Sequence, residues 1–427
     1  MMDLSKKYFG QWFICDTHDE CYECAGTLFF NAKGELTLEV HHDTRTAEKI
    51  YYIDTYDTII GKDDHGVSIS LFHAVRTQIK DRVETTFRIQ YALIGKALES
   101  LYDKAFNSVF VNYPNLRNWA FHRLMVLDHS EHLVTKCRLD FTKDNREFMK
   151  VEVGGYSLML RASICDNVTI YDLGVKQDTY LTLKSQQKSS IDDFLNAITP
   201  FSQFLSIALF HRQFPNSISL MVDGDDYEYD LLFTARPSDS VQYSSVINYK
   251  KMSERVPALI TKWYEGFDLV SPVSTHLLKT LSSSQPFDDS DFLIIAQAVE
   301  GYFKRFINGT EKTQWKRHTK NEVCFKGLVE HFGSVEAIKE CNFDPEVWVQ
   351  TRDKYTHMLK DEDKPLAITD YKELIWLTEK GKILLTCCLL DFMGMTIEEI
   401  NTCFKESPID SILHFIKEHE KNKTEIQ

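Results

Sequence analysis

The chain has 427 residues and 43% hydrophobic content, more than one typical domain needs and enough to bury substantial cores. Its 49 basic and 63 acidic residues leave a formal charge of -14, which excludes a surface that coats nucleic acid or anionic membrane non-specifically. Any contact with a polyanion must be local. The opening stretch MMDLSKKYFGQWFICD lacks the apolar core and small-residue cleavage site of a secretory signal, and no run approaches about 18 uninterrupted apolar residues. A cytoplasmic protein with no membrane partner is expected. In that compartment the ten cysteines are expected to be reduced core residues or ligands rather than disulfides.

Cys15, His18, Cys21 and Cys24 recur every third residue in CDTHDECYEC. They could hold a structural zinc that closes a loop between two strands, or stand as reduced loop cysteines, since the spacing is tight and a second ligand pair is missing. Up to about residue 185 the pattern is β. Leu36, Leu38 and Val40 alternate with polar residues, as do Val67, Ile69 and Leu71, and turn residues bound each run. Gly154 and Gly155 sit between two alternating runs in MKVEVGGYSLML, a two-residue hairpin signature because both turn positions need positive φ.

From Ser190 an N-cap serine, early acids and helical spacing predict a helix, kinked or broken at Pro200, with strand-like SISLMV and YDLLFTA after it. Beyond Lys250 almost everything is helical. The predicted helices run from Ser253 to Phe267, through FLIIAQAVEGYFKRFI with Leu293, Ala296, Val299 and Phe303 at core spacing, and through DPEVWVQTRDKYTHMLK, opened by Asp344 and Pro345. A long apolar helix from Thr369 to near Gly394 follows, then two shorter ones opened by the Thr396 to Glu399 capping box and by Ser407. The polar tail KEHEKNKTEIQ is expected to fray. The fold class is α+β, with an antiparallel β-rich domain over 1–245 and an all-helical domain over 246–427.

The chemistry-bearing motif is Arg352-Asp353-Lys354-Tyr355-Thr356-His357. Asp353 and His357 lie one helical turn apart, so Asp353 could accept from one ring nitrogen and fix which nitrogen is free for proton transfer. Cleavage of RNA by its own 2′-hydroxyl needs a base for that hydroxyl, a cation for the phosphorane charge and an acid for the leaving oxygen, and histidine with arginine supplies these without a metal. One copy carries a single histidine, so a two-fold homodimer with a composite site is expected. The competing reading is a non-catalytic dimeric scaffold in which Arg352 makes a structural ion pair to Asp353 or Glu300 and the β domain binds a ligand or protein partner.

The sequence resembles the HEPN ribonucleases, and within them the ApeA-like proteins of bacterial abortive-infection systems. FLIIAQAVEGYFKRF over 292–306 is similar to the first HEPN helix, and TRDKYTHMLKDED over 351–363 to the catalytic motif. FGQWF, GTLFF, GELTLEV, IIGKDDHGVSISLFHA and the run Leu116-Arg117-Asn118-Trp119 resemble the ApeA N-terminal domain. The resemblance implies a β-rich sensor of a phage-derived trigger fused to a dimeric nuclease that cuts host or phage RNA. It assigns catalytic roles to Arg352, His357 and Asp353, the last standing where many relatives carry Asn.

Further candidates surround the motif. Glu300 is either a partner holding Arg352 or a position on an exposed polar stripe. Tyr355 either stacks on a base or packs in a core or dimer, with Lys354 beside it as a phosphate-binding cation. Lys316 and Arg317 flank Trp315 in TEKTQWKRHTKNE, where cations and a ring suit single-stranded RNA or simply make a solvated loop.

Overall fold

The computed structural model describes residues 3–426 except 16–19, 44–45, 47, 49–52, 82, 131–132, 140–141, 143–145, 169–172, 235–241, 282–286 and 308–319. The chain forms two compact units: residues 1–117, 122–199 and 214–240 in one, and 118–121, 200–213 and 241–427 in the other.

The first unit is built on an antiparallel sheet whose strands are β1 (Tyr8–Cys15), β2 (Cys21–Phe30), β3 (Leu36–His41), β4 (Thr55–Asp63), β5 (Ser68–Lys80), β6 (Glu84–Ile94), β7 (Phe106–Asn112), β10 (Glu147–Val153), β11 (Tyr156–Val168), β12 (Leu173–Ser189), β13 (Ser217–Met221) and β14 (Glu228–Phe233). A separate hairpin pairs β8 (Met125–Ser130) with β9 (Leu133–Leu139). The order β10-β11-β12-β7-β13-β14-β6-β3-β2-β1-β4-β5 gains one further pairing, β5 to β6. That pairing closes β6, β3, β2, β1, β4 and β5 into a barrel, which removes their open edges.

On β3 the predicted apolar positions are buried, but β5 does not alternate: Val67 before it is half-buried, and Ser70 and Phe72 are buried as fully as Ile69 and Leu71, so that strand is covered on both faces. Leu36, Leu38, Val40, Ile69 and Leu71 are fully buried around Trp12. Trp12 lies opposite Gly61 on β4, where a Cβ would stand 2.3 Å from the indole, so glycine there makes the room the ring occupies. The β10–β11 hairpin turns at Gly154 and Gly155, with φ of 55° and 85° and Val153 pairing Tyr156, the two-residue turn expected from the sequence.

A helix, α1 (Ile191–Leu209), opens with a reciprocal cap in which Ser190 Oγ accepts from Asp193 N and Asp193 Oδ2 accepts from Ser190 N. It runs on through Pro200 instead of breaking there. Its second half belongs to the helical unit, where Trp263 Nε1 donates to Pro200 O at 2.8 Å and Ser274 Oγ donates to Gln203 Oε1 at 2.6 Å.

The helical unit then continues through α2 (Val256–Glu265), α3 (Phe267–Thr280), α4 (Asp289–Tyr302), a π-helical turn (Phe303–Ile307), α5 (Asn321–His331), α6 (Pro345–His357), α7 (Tyr371–Phe392), α8 (Ile397–Phe404) and α9 (Pro408–Ile426). α7 is its axis, buried on all sides from Gly381 to Leu390. It starts at Tyr371, two residues later than Thr369, because Asp370 is the side chain that caps Lys372 N and Glu373 N. Ala296 and Val299 on α4 and Phe303 in the π-helical turn are buried as expected, but the deepest residues of α4 include Phe292 and Ile295, while Leu293 is half-buried. The polar tail is helical. α9 extends to Ile426, held by ion pairs from His419 and Lys423 to Glu373 at 3.0 and 3.1 Å. Among the described residues no helix is long and apolar enough to cross a membrane.

Candidate active site

The motif lies on α6, and one tryptophan sets the pose of that helix. Trp348 is 3% exposed, stacks on Phe325 of α5 at 4.4 Å and 12°, and meets Phe292 of α4 edge-on at 5.1 Å. Its far edge rests on Gly381 of α7, where a Cβ would be 2.7 Å from both Trp348 Cη2 and Ile295 Cγ2. Glycine there lets α4 and α6 converge on the axis helix. Arg352 is one turn beyond Trp348 on the same face, so anchoring the indole carries the guanidinium to the junction of α4, α5 and α6.

At that junction Arg352 Nη2 donates to Glu300 Oε2 at 3.3 Å and Nη1 donates to Asp353 Oδ1 at 3.2 Å. The Asn321 amide completes the set. With its oxygen on the guanidinium it accepts from Nη1 at 2.8 Å and Nε at 3.1 Å, and its nitrogen donates to Glu300 Oε2 at 2.6 Å. Lys304 pairs with Glu300, and Lys364 Nζ donates to Asp353 Oδ2 at 3.0 Å. Arg352 keeps 24% of its side chain exposed, so it is fixed without being sealed in. Beside it lies a small pocket lined by Ala296, Val299, Asn321, Cys324 and Phe325.

The other motif residues separate. His357, the last residue of α6, is exposed and makes no hydrogen bond or ion pair among the described residues. The hydrogen bond that Asp353 could accept from His357 is absent among those residues, where Asp353 instead accepts from Arg352 and Lys364. Lys354 is drawn into an ion pair with Asp361 and is 14% exposed. Tyr355 is half-buried, and burial pushes its hydroxyl above the usual phenolic range, with neighbouring Lys354 opposing. Lys316 and Arg317 lie outside the described residues.

After α6 the chain turns at Met358 (φ 52°) and folds back along the helix. Leu366 N donates to Gln350 Oε1 and Ile368 N donates to the buried Thr351 Oγ1, both at 3.0 Å. Asn321, Lys304 and Lys364 were not singled out from the sequence. Asn321 falls there in the stretch TEKTQWKRHTKNE between two helices, and the two lysines carry no assigned role.

The cysteine cluster corrects an expectation. Antiparallel pairing of β1 with β2 sets Cys15 opposite Cys21, and the two form a disulfide, which removes both from metal binding and breaks the expectation of fully reduced cysteines. Cys24 is buried, its thiol near Tyr22 O, and burial pushes that thiol up to about 11. His18 lies outside the described residues. No group of three or more potential metal ligands forms among those described.

Residues 7–263 match the ApeA N-terminal domain 1 family and residues 293–399 match the Apea-like HEPN family. No curated protein and no solved structure matches the chain. A barrel-bearing β unit under the first match, and a bundle that gathers Glu300 and Arg352 under the second, account for the α+β fold. The chain belongs to the ApeA family of HEPN proteins, a membership that supports a HEPN nuclease-type role in antiphage defence.

Proposed function

We propose that the chain is an endoribonuclease of an abortive-infection system, cutting RNA in the cytoplasm at a site composed of Arg352 and His357 from two copies. The observation that supports this is the pairing, on one helix, of a guanidinium fixed by partners yet partly exposed with an exposed imidazole that has no partner among the described residues. The 2′-hydroxyl of a ribose attacks its own phosphorus while the bond to the 5′-oxygen breaks. One imidazole takes the hydroxyl proton, the imidazole of the second copy returns a proton to the leaving oxygen, and Arg352 stabilises the phosphorane charge. No step uses a metal. The β-rich unit is the sensor for a phage-derived trigger.

The test is cleavage of total RNA by purified protein in EDTA, alone and with infected-cell lysate. His357→Ala should lose ~10²- to 10⁴-fold in rate with its melting temperature intact. Full activity in that variant would remove His357 from the mechanism.

A second reading has an observation in its favour. Every interaction seen for Arg352 is with Glu300, Asp353 or Asn321, as a purely structural ion pair would require. On that reading the helical unit is a dimeric scaffold and Arg352→Ala unfolds it. Retained melting behaviour with lost cleavage favours the nuclease.

A further inference from the structure

We propose that Asn321 is the positioning residue for Arg352, and that its neutral amide, together with Lys304 and Lys364, keeps the guanidinium's charge available to a phosphate. The inference rests on the ribonuclease reading above.

A guanidinium flanked by two carboxylates is ordinarily a spent cation, since its charge is more than matched by its neighbours. Here each carboxylate carries a lysine of its own: Lys304 on Glu300, and Lys364 on Asp353 at 3.0 Å. Three cations therefore face two carboxylates at one junction. The surplus positive charge is what an anionic ligand would meet.

Holding Arg352 there is a separate problem from balancing it. The direct contacts to Glu300 and Asp353, at 3.3 and 3.2 Å, are longer than the usual span for charge-assisted bonds of about 2.7–2.9 Å. With the Asn321 amide oriented by its neighbours, oxygen toward the guanidinium and nitrogen toward the carboxylate, the shorter contacts are its own: 2.8 Å from guanidinium Nη1 and 2.6 Å to Glu300 Oε2. One amide thus joins the two charged partners, accepting from the cation and donating to the anion.

The backbone makes this joint stiff. Phe325 stacks on Trp348, and Asn321 and Arg352 are each one turn from that contact, so α5 and α6 pass each other antiparallel with two successive turns in register. An aspartate at 321 would keep the shape but erase the charge surplus and set two carboxylates against each other.

The test uses the full chain and a labelled oligoribonucleotide taken from a cut site mapped with the wild type. Asn321→Ala should lower kcat about tenfold and change KM less than threefold, because the arginine is displaced from the transition state more than from the ground state. Asn321→Asp should be slow at pH 7.5 and recover as pH falls, when the two facing carboxylates come to share a proton. The wild type lacks that added acid-side rise. A residue of merely structural importance would lower the melting temperature without reshaping the pH profile.

A kcat for Asn321→Ala within twofold of wild type, or an Asn321→Asp profile parallel to wild type, overturns the inference while the dependence on His357 leaves the ribonuclease reading standing. Wild-type protein that cuts no RNA under any trigger overturns both.

Discussion

Arg352 and Glu300, 52 positions apart, meet with Nη2 at 3.3 Å from Oε2, and the same carboxylate takes Lys304. Removing it leaves two partly buried cations facing each other. Glu300→Ala should therefore cost about 1–3 kcal/mol of stability, the range for stranding partly buried charged groups, together with at least tenfold in cleavage. Chemical denaturation paired with a single-turnover assay checks both. An unchanged unfolding midpoint would mean the junction holds without the carboxylate.

Gly381 offers a probe that touches no charge. Adding a methyl group there drives into Trp348 and Ile295, which already stand 2.7 Å from the position it would take. Gly381→Ala should destabilise the helical unit by about 1–3 kcal/mol, as overpacking does, and loosen α6 against α7. Denaturant unfolding followed by tryptophan fluorescence, with Trp348 as a reporter, reads this directly.

Local rules made much of this visible in advance. The Gly154-Gly155 turn, the Asp344 and Thr396 caps and the buried alternation of Leu36, Leu38 and Val40 follow from φ preferences, hydrogen-bonding side chains and period-two patterning. The motif helix was legible because Asp344 and Pro345 mark its start. A charge at 300 in an otherwise apolar helix already points to a partner, and Arg352 is one. What escaped depends on tertiary placement: Asn321 matters only because the Phe325–Trp348 stack brings α5 alongside α6. Lys364 returns to Asp353 only because the chain doubles back through Met358. The Cys15–Cys21 pairing follows from strand register, which residue spacing alone does not fix.

Asp391 gives a pH prediction in the helical unit. Burial raises its carboxyl above the usual range, with His331 at 3.9 Å and the Tyr302 hydroxyl at 3.4 Å opposing. A carboxyl raised in the folded state favours folding below its unfolded value near ~3.9 and loses that contribution as pH rises through the folded value. At neutral pH the charged form is therefore a burden. Asp391→Asn should raise the melting temperature at pH 7, and the gain should shrink as pH falls toward 4. A variant less stable than wild type at pH 7 would show that the His331 pairing outweighs burial.

Glu373 works in the opposite sense at the far end of the bundle. Burial alone would raise its carboxyl, but hydrogen bonds from Lys423 and His419 outweigh it and hold the group below the usual range. A lowered carboxyl contributes stability above its unfolded value, near ~4.3, and loses it as pH falls through the folded value. These contacts fasten α9, so the protection they give is local. Glu373→Gln should raise amide exchange over residues 415–426 about two- to fivefold at pH 7, matching the ~1 kcal/mol or less of partly exposed pairs. Wild-type protein should show the same loosening, after correction for intrinsic exchange rates, once pH drops below 4. Equal exchange in the variant and the wild type at pH 7 would mean that Ile409, Leu413 and Ile416, the buried face of α9 itself, hold the helix by themselves.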